Sequence, residues 1–269
     1  MESALFEYPF SWITALFFSM PRVLAFFSVF PLFSRQALPG LLRIGVASSI
    51  AIFLVPSLVA ESLEESRSTF VLLGIILKEA GIGFAIGFIM ALPLWAFDIM
   101  GAYVDNQRGA SIAATINPLT GHDTSPLGEL FSQAALVFLL ISGGMVLVLG
   151  ALYQSFLIWP VFEWIPKFNY LMPRMLLDLM DQLMSMAVLL SAPVIFVMFL
   201  AEIGLGLVSR FVPQLQVFFM AMPIKSALAM FVFAIYTTTL FGYAENEFEG
   251  FGKAAIRSLS AMFVQEPIR

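Results

Sequence analysis

Residues 70–100 read FVLLGIILKEAGIGFAIGFIMALPLWAFDIM, and this stretch decides the fold class of the chain. It contains only three charged side chains, Lys78, Glu79 and Asp98. A helix needs about 20 mostly apolar residues to cross the hydrocarbon core of a bilayer, so the stretch is long enough to span one. It lacks the alternating polar and apolar pattern of a barrel strand. Only helices and closed barrels satisfy their backbone hydrogen bonds in lipid, and we therefore predict an all-α integral membrane protein.

The composition of the whole chain supports this class. Of 269 residues, 60% are hydrophobic and 12% are charged, and the mean hydropathy is +0.95, whereas soluble domains carry roughly 25% charged residues. The net charge of −5 argues against a nucleic-acid partner. The chain has no cysteine and a single histidine, His122. This inventory offers no zinc site and no thiol nucleophile, so we predict no catalytic residues, no metal and no cofactor.

Six apolar runs are expected to form about six long helices or hairpins, at residues 10–33, 38–60, 70–100, 129–162, 183–208 and 214–244. Prolines lie within or at the edges of these runs, and proline removes a helical hydrogen bond. Two runs, 70–100 and 129–162, are longer than one untilted span needs. They are either broken helices or hairpins, or long tilted helices with proline kinks, and the sequence leaves both interpretations open.

Several charged or small residues inside the runs are candidates for packing or assembly. Gly83 and Gly87 form a G-x-x-x-G motif, which permits a close helix or subunit contact. The charges of Lys78 and Glu79 either mark the water interface or form a buried pair. Glu202 has apolar neighbours on both sides, and Arg210 lies on roughly the same helical face. A carboxylate buried in such a segment is a functional or assembly site by default, which is our expectation for Glu202.

The polar, turn-rich stretch 105–126 lies between two of the most apolar segments. Charge and irregular backbone persist at such a position where they line a cavity or are buried in protein. Asp98 and Asp105 share a helical face, with Arg108 one turn after Asp105. Glycine at 109 and 121 permits hinge conformations, and proline at 118 and 126 resists continuation of a helix. The stretch is the first candidate for function.

The motif Asp105-Asn106-Gln107-Arg108-Gly109-Ala110 resembles the signature of the T component of type III secretion export apparatuses (the SctT/YscT/SpaR family), whose flagellar counterpart is FliR. Lys78-Glu79 with the following glycines and Pro93-Leu94-Trp95 also follow the family pattern. So do the Asn-Pro-x-x-Gly turn at 117–121 and the element Leu207-Val208-Ser209-Arg210-Phe211-Val212-Pro213-Gln214. These motifs occur in the family's order and lean towards the virulence-associated injectisome rather than the flagellum.

The resemblance implies a non-enzymatic structural and gating subunit of a protein-export gate in the bacterial inner membrane. The implied partners are R-type and S-type gate subunits in multiple copies, a U-type switch protein, other secretion ring proteins and exported proteins in transit. Residues 1–182 would be R-like, residues 183–244 would resemble the S-type hairpin, and residues 245–269 would form a polar tail. The assembly would be helical and pseudo-symmetric.

The resemblance also implies roles for single residues. The loop of about residues 109–126 would plug the closed pore, and its plug and gating residues would be Asp105, Asn106, Gln107, Arg108, Gly109, Ala110, Ser111, Asn117, Pro118 and Gly121. Assembly and packing would rest on Lys78, Glu79, Gly83, Gly87, Glu202, Arg210, Pro213, Gln214 and Lys225.

Two other functions remain to be weighed. A self-sufficient secondary transporter would use Glu202 and Asp98 as ion-coupling carboxylates at broken helices, although no internal inverted repeat is visible in the sequence. An intramembrane protease fails on inventory, because the chain has one histidine, no cysteine and no G-x-G-D motif.

Overall fold

The computed structural model describes residues 2–34, 38–62, 68–110, 125–163, 172–211 and 217–262, and within these ranges it contains helices and no strand. These ranges include the helices α1 (Glu2–Val29), α2 (Gly40–Ile52), α3 (Val55–Ser62), α4 (Thr69–Arg108), α5 (Pro126–Ile141), α6 (Gly144–Ile158), α7 (Met172–Phe211) and α8 (Val217–Met262). A short 3₁₀ turn, Pro31–Phe33, follows α1. The prediction of an all-α membrane protein is confirmed.

The two long apolar runs, 70–100 and 129–162, fold in different ways. Run 70–100 lies in one continuous helix of 40 residues, and Pro93 is inside it. Run 129–162 is broken between α5 and α6, where Gly143 adopts a left-handed conformation with φ +79°. Glycine occupies this region without the steric cost that a Cβ adds. The break in the second run is therefore made by glycine rather than by proline.

Run 38–60 does not form one long helix. This run forms two short helices, α2 and α3, which a turn at residues 53–54 separates. Four helical segments in the described ranges are long and apolar enough to cross a membrane, and α5 with α6 makes a fifth if the broken pair is one span. The four are Ser11–Val29, Thr69–Arg108, Arg174–Phe211 and Met220–Ala244.

The chain divides into two compact units, and the first comprises Met1–Ala91, Gly143–Leu176 and Glu249–Arg269. In this unit α1 packs against α2 and α3. Its core contains a cluster of buried phenylalanines, in which the rings of Phe27 and Phe33 stack at 3.7 Å and those of Phe26 and Phe30 at 5.4 Å. Aromatic side chains bury large apolar areas, so this cluster is a main source of cohesion in the unit.

The second unit comprises Leu92–Ser142 and Leu177–Phe248. Its core joins α5 to α8 through Phe131 and Phe233, whose ring centroids lie 4.5 Å apart. Phe241 of α8 contacts Phe138 at 5.1 Å and Phe97 at 6.1 Å. These contacts join α4, α5 and α8 in the core of the second unit. The proposed likeness of segments 1–182 and 183–244 to other subunits stays a prediction.

Candidate functional site

Asp105 ties the two ends of the predicted plug loop together. Its side chain is 4% exposed, and its two oxygens have separate partners. Arg108 donates to Oδ1 from Nε at 2.7 Å. The hydroxyl of Ser125 donates to Oδ2. The backbone N–H of Leu127 donates to the same oxygen at 2.9 Å. One buried carboxylate thus joins the last turn of α4 to the first turn of α5, with residues 111–124 between them.

The start of α5 is built to receive this carboxylate. Ser125 is its N-cap and accepts a hydrogen bond from the Gly128 N–H at 2.9 Å, and Pro126 follows at the first helical position. The first N–H groups of a helix have no intrahelical acceptor, and the positive end of the helix dipole favours an anion. Gly101 and Gly128 allow the close crossing, since a Cβ on either would collide with the other helix.

A second polar cluster joins α4 to the hairpin of α7 and α8. The ammonium of Lys225 is 2.7 Å from a carboxylate oxygen of Glu202 and 3.3 Å from the carbonyl oxygen of Gln107. The amide nitrogen of Gln107 is 3.4 Å from the same Glu202 oxygen. Beside the cluster lies a cavity of about 330 Å³. It is lined by Asn106, Gln107, Arg108, Gly109, Glu202, Leu205, Gly206, Ala221, Met222 and Lys225.

The expectation of a buried Glu202 is wrong for the chain by itself. The Glu202 side chain is 52% exposed, and Arg210 is exposed as well. The ion pair of Glu202 is with Lys225 of the neighbouring helix rather than with Arg210, eight residues on in its own helix. The mostly buried member of this pair is the cation, since the Lys225 side chain is 10% exposed.

Some predicted site residues lie outside the described residues. They are Ser111, Asn117, Pro118 and Gly121 of the predicted plug loop, and Pro213 and Gln214, which follow α7 in the sequence. His122 lies outside them too. Within the described part of the chain, no group of three or more histidine, aspartate or glutamate side chains is arranged to hold a metal ion.

A third cluster, in the first unit, centres on Arg22, which the sequence analysis missed. Arg22 is fully buried and donates to both carboxylate oxygens of Glu79, at 2.7 and 2.9 Å. It also donates to the Ser155 hydroxyl at 3.2 Å and to the Trp159 carbonyl at 2.9 Å. Its guanidinium carbon lies 4.0 Å from the centroid of the Phe156 ring. A fork of donors in fixed geometry suits Arg for such a site.

Lys78 extends this cluster to the chain that follows α6. Its ammonium donates to three backbone carbonyls, those of Pro160, Val161 and Glu163, at 3.1, 2.6 and 2.9 Å. It also lies 3.0 Å from Glu79. Of the two interpretations left open by the sequence, the buried pair is the one observed. Lys78 and Arg22 together fix residues 159–163 against α1 and α4.

Gly83 and Gly87 lie where α4 crosses α1. A Cβ on Gly83 would overlap the backbone carbonyl of Arg22, and a Cβ on Gly87 would come within 2.8 Å of the Phe26 carbonyl oxygen. Gly81, two residues earlier, has nothing within 4 Å of such a Cβ. The close approach of the two backbones is what brings Arg22 within reach of Glu79. The contact observed for this motif is therefore between two helices of the same chain.

A signal for Arg22 was present in the sequence. It is the only charged residue between Phe10 and Phe33, and a charge in a spanning helix needs a partner in the protein. Run 70–100 offered two carboxylates, Glu79 and Asp98. Ser155 carried no comparable signal. Serine is common in membrane helices, where its hydroxyl can donate to a backbone carbonyl of the same helix. Ser155 also makes such a bond, to the Leu152 carbonyl.

Comparison with known proteins settles the family. Residues 13–251 match the family described as bacterial export proteins, family 1. This chain belongs to that family. It is 38% identical to the Yop proteins translocation protein T of Yersinia pestis over 228 residues, which is 84% of this chain and 87% of that protein. The resemblance to the T component of type III secretion export apparatuses is confirmed.

Two further relatives cover both branches of the family. The secretion system apparatus protein SsaT of Salmonella typhimurium is 34% identical over 83% of this chain and 87% of its own length. The flagellar biosynthetic protein FliR of Bacillus subtilis is 32% identical over 84% of this chain and 87% of its own length. Membership in this export protein family gives the chain a role in protein export, and its apolar helices make it a multi-pass membrane protein.

Proposed function

We propose that this chain is a non-enzymatic structural and gating subunit of a type III secretion export gate in the bacterial inner membrane. The observation that carries the proposal is the buried Asp105 carboxylate, which holds the ends of the loop at Arg108, Ser125 and Leu127. A loop clasped at its base can change position without unfolding the helices on either side. This arrangement suits a plug in the core channel for unfolded proteins.

The partners of the gate follow from the family. We propose that the chain assembles with several copies of R-type and S-type subunits, beside a U-type switch protein and inside other ring proteins of the secretion system. The hairpin of α7 and α8 supports this role, since it exposes large apolar side chains along both helices, among them Phe196, Phe199, Phe231 and Ile235. Surfaces of this kind are covered by lipid or by other subunits.

Of the two kinds of type III export machine, the injectisome is the one we favour for this chain. The identity to translocation protein T of Yersinia pestis is 38%, against 32% to the flagellar FliR of Bacillus subtilis over a similar share of the chain. The difference supports a machine that delivers proteins out of the cell over one that builds flagella.

Deletion of residues 110–116 tests the gate. The deletion leaves Asp105, Arg108, Ser125 and Leu127 in place, so we expect the gate complex to assemble in normal amounts. Cells that carry the deletion should become permeable to ions and small molecules. The matched control replaces the same residues by glycine and serine, which keeps the loop length. An assembled deletion mutant with a membrane as tight as wild type would show that the loop is not the plug.

A transport assay separates this proposal from a secondary transporter. The purified chain is inserted alone into liposomes, and uptake of small solutes is measured under a proton or sodium gradient. We expect none, since Glu202 already pairs with Lys225. Gradient-driven uptake by the isolated chain, lost in Glu202→Gln or Asp98→Asn, would establish the transporter instead.

A further inference from the structure

The last turn of α4 is held from α8 at two points, one helical turn apart. Lys225 donates to the Gln107 carbonyl at 3.3 Å. Met222 lies against Gly109. A Cβ built on that glycine would come within 3.3 Å of the methionine Cε. Residues three apart on a helix share a face, so one face of α8 contacts the segment from which the proposed plug loop begins.

The chemistry of the first contact is that of a helix cap. The last four carbonyls of a helix have no intrahelical donor, and the negative end of the helix dipole favours a cation. Lys225 supplies both the donor and the charge. Its carboxylate partner is Glu202, at 2.7 Å, and the Gln107 side chain reaches the same carboxylate at 3.4 Å. Glu202 thus orients the ammonium towards the end of α4.

The second contact marks the point where the chain leaves the helix. Gly109 has φ +84°, in the left-handed region that ends many helices. Its N–H donates to the Asn106 carbonyl at 3.1 Å, which closes a final turn. The direction taken by the loop depends on this turn keeping its geometry, and Met222 and Lys225 are the α8 side chains that contact it.

We propose that Lys225 is a positioning residue that latches the base of the plug loop in the closed gate, with Glu202 orienting it. The proposal rests on the proposed gating function of the loop. Without the ammonium, the Gln107 carbonyl loses its donor and the last turn of α4 can fray. The loop then leaves the closed position while Asp105 still holds its far end at α5.

Neutral and conservative variants of Lys225 test the latch in cells that express the complete export apparatus. We expect Lys225→Met to raise the leak of small molecules on the order of fivefold or more, the effect of about 1 kcal/mol on a two-state equilibrium. Lys225→Arg should stay tight, since guanidinium also donates to carbonyls and the adjacent cavity of about 330 Å³ gives it room. Thr238→Ala, an exposed position on the same helix, is the matched control.

A charge reversal separates a latch from an ordinary ion pair. The double variant Glu202→Lys with Lys225→Glu keeps two opposite charges together, but it presents a carboxylate to the Gln107 carbonyl. We expect the double variant to assemble and still leak. If the reversal restores a tight membrane, or if an assembled Lys225→Met variant is as tight as wild type, then Lys225 only holds the hairpin together and the proposal is overturned.

A reversible lock tests the same contact by a different route. The chain has no cysteine of its own, so Gly109→Cys with Met222→Cys introduces a unique pair. The Met222 Cγ, where a cysteine sulfur would lie, is 3.4 Å from a Cβ at position 109. Gly109 has φ +84°, so the reduced form of the same variant is the reference for the strain that the new side chain adds. Under oxidation the lock should stop the leak of Lys225→Met, and reductant should restore it. A leak unaffected by the lock would overturn the latch.

The loop deletion distinguishes the two proposals in the same assay. If deletion of residues 110–116 leaks and Lys225→Met does not, the plug stands and the latch fails. If the deletion itself is tight in an assembled gate, the proposed gating function fails, and the latch with it.

Discussion

Arg22 of α1 and Glu79 of α4 form a bidentate ion pair in which neither side chain has any exposed surface. Arg22 also donates to Ser155 and the Trp159 carbonyl, so each of its guanidinium nitrogens has an acceptor. Desolvating two ions is expensive, and the pair is stable only as a pair. It fixes α1, α4 and the end of α6 in one arrangement within the first unit.

Removing one partner of this ion pair should therefore damage the fold severely. We expect Glu79→Ala to cost about 3–5 kcal/mol, because it leaves the buried Arg22 without its counterion. Arg22→Ala should cost less, because Lys78 stays 3.0 Å from Glu79. The double variant Arg22→Met with Glu79→Leu should be less damaging than Glu79→Ala alone. Thermal unfolding of the purified chain or complex measures the difference. A double variant as unstable as the sum of the two single variants would contradict the coupling.

The glycines of α4 give a second prediction with a control inside the same turn. Gly83→Ala and Gly87→Ala push a methyl group into the backbone of α1 at Arg22 and Phe26. We expect a loss of about 1–3 kcal/mol for each, as for other overpacked sites. Gly81→Ala has open space and should be neutral or gain up to about 1 kcal/mol, since alanine favours helix more than glycine does. Equal effects at positions 81 and 83 would contradict the close crossing.

These two sites show what the sequence could and could not predict. The glycine spacing and the Lys78-Glu79 charges pointed to packing at the right place, because small residues and charges in an apolar helix have few uses. They did not identify the partner. Helical periodicity predicts which residues share a face of one helix. It cannot predict a contact between different helices, and Arg22 is 57 residues away from Glu79 in the sequence. That distance is bridged by tertiary packing alone.

The same limit explains why the partner of Glu202 was not predicted. Residues 202 and 210 share a face of α7, and Arg210 is the nearest cation in the sequence. The closer cation is Lys225 of α8, because the hairpin brings the two helices side by side. A break in run 129–162 was one of the two interpretations left open, but its position at Gly143 was not predicted, for a different reason. Pro93 lacks an N–H for the helical hydrogen bond, yet α4 continues through it. The left-handed backbone at Gly143, in contrast, separates α5 from α6.

Asp105 offers a prediction about the base of the loop. Asp105→Asn removes the charge that Arg108 pairs with, and it weakens the bonds from Ser125 and Leu127. Hydrogen bonds to charged groups contribute about 1.5–3 kcal/mol each, so part of that stability should be lost. We expect faster protease cleavage between residues 109 and 125 in the assembled complex. The control is Asp98→Asn, an exposed carboxylate in the same helix. Unchanged cleavage would show that the clasp is not needed.

Substitutions of Glu202 and of Lys225 should reduce the free energy of unfolding by different amounts, although the two residues form one ion pair. Lys225 is the buried member, and Glu202→Gln replaces the carboxylate beside its ammonium by a neutral amide, so the buried charge loses its counterion. An under-satisfied buried group costs about 1–3 kcal/mol, and we expect that loss. Lys225→Met instead leaves a half-exposed carboxylate, which solvent can stabilise, and the methionine keeps the apolar stem. Its cost should be about 1 kcal/mol, the loss of the hydrogen bond to the Gln107 carbonyl, since exposed ion pairs add little.

Thermal unfolding of the purified gate complex at matched salt measures this asymmetry. The greater loss for Glu202→Gln should also lower the yield of complex, whereas Lys225→Met should assemble almost normally. Raising the salt concentration should weaken the wild-type pair while leaving the Lys225→Met variant unchanged, because the ions screen the exposed carboxylate. Equal losses for the two variants would mean that the pair is covered by a neighbouring subunit, since burial of Glu202 in the assembly removes the difference in exposure on which the prediction depends.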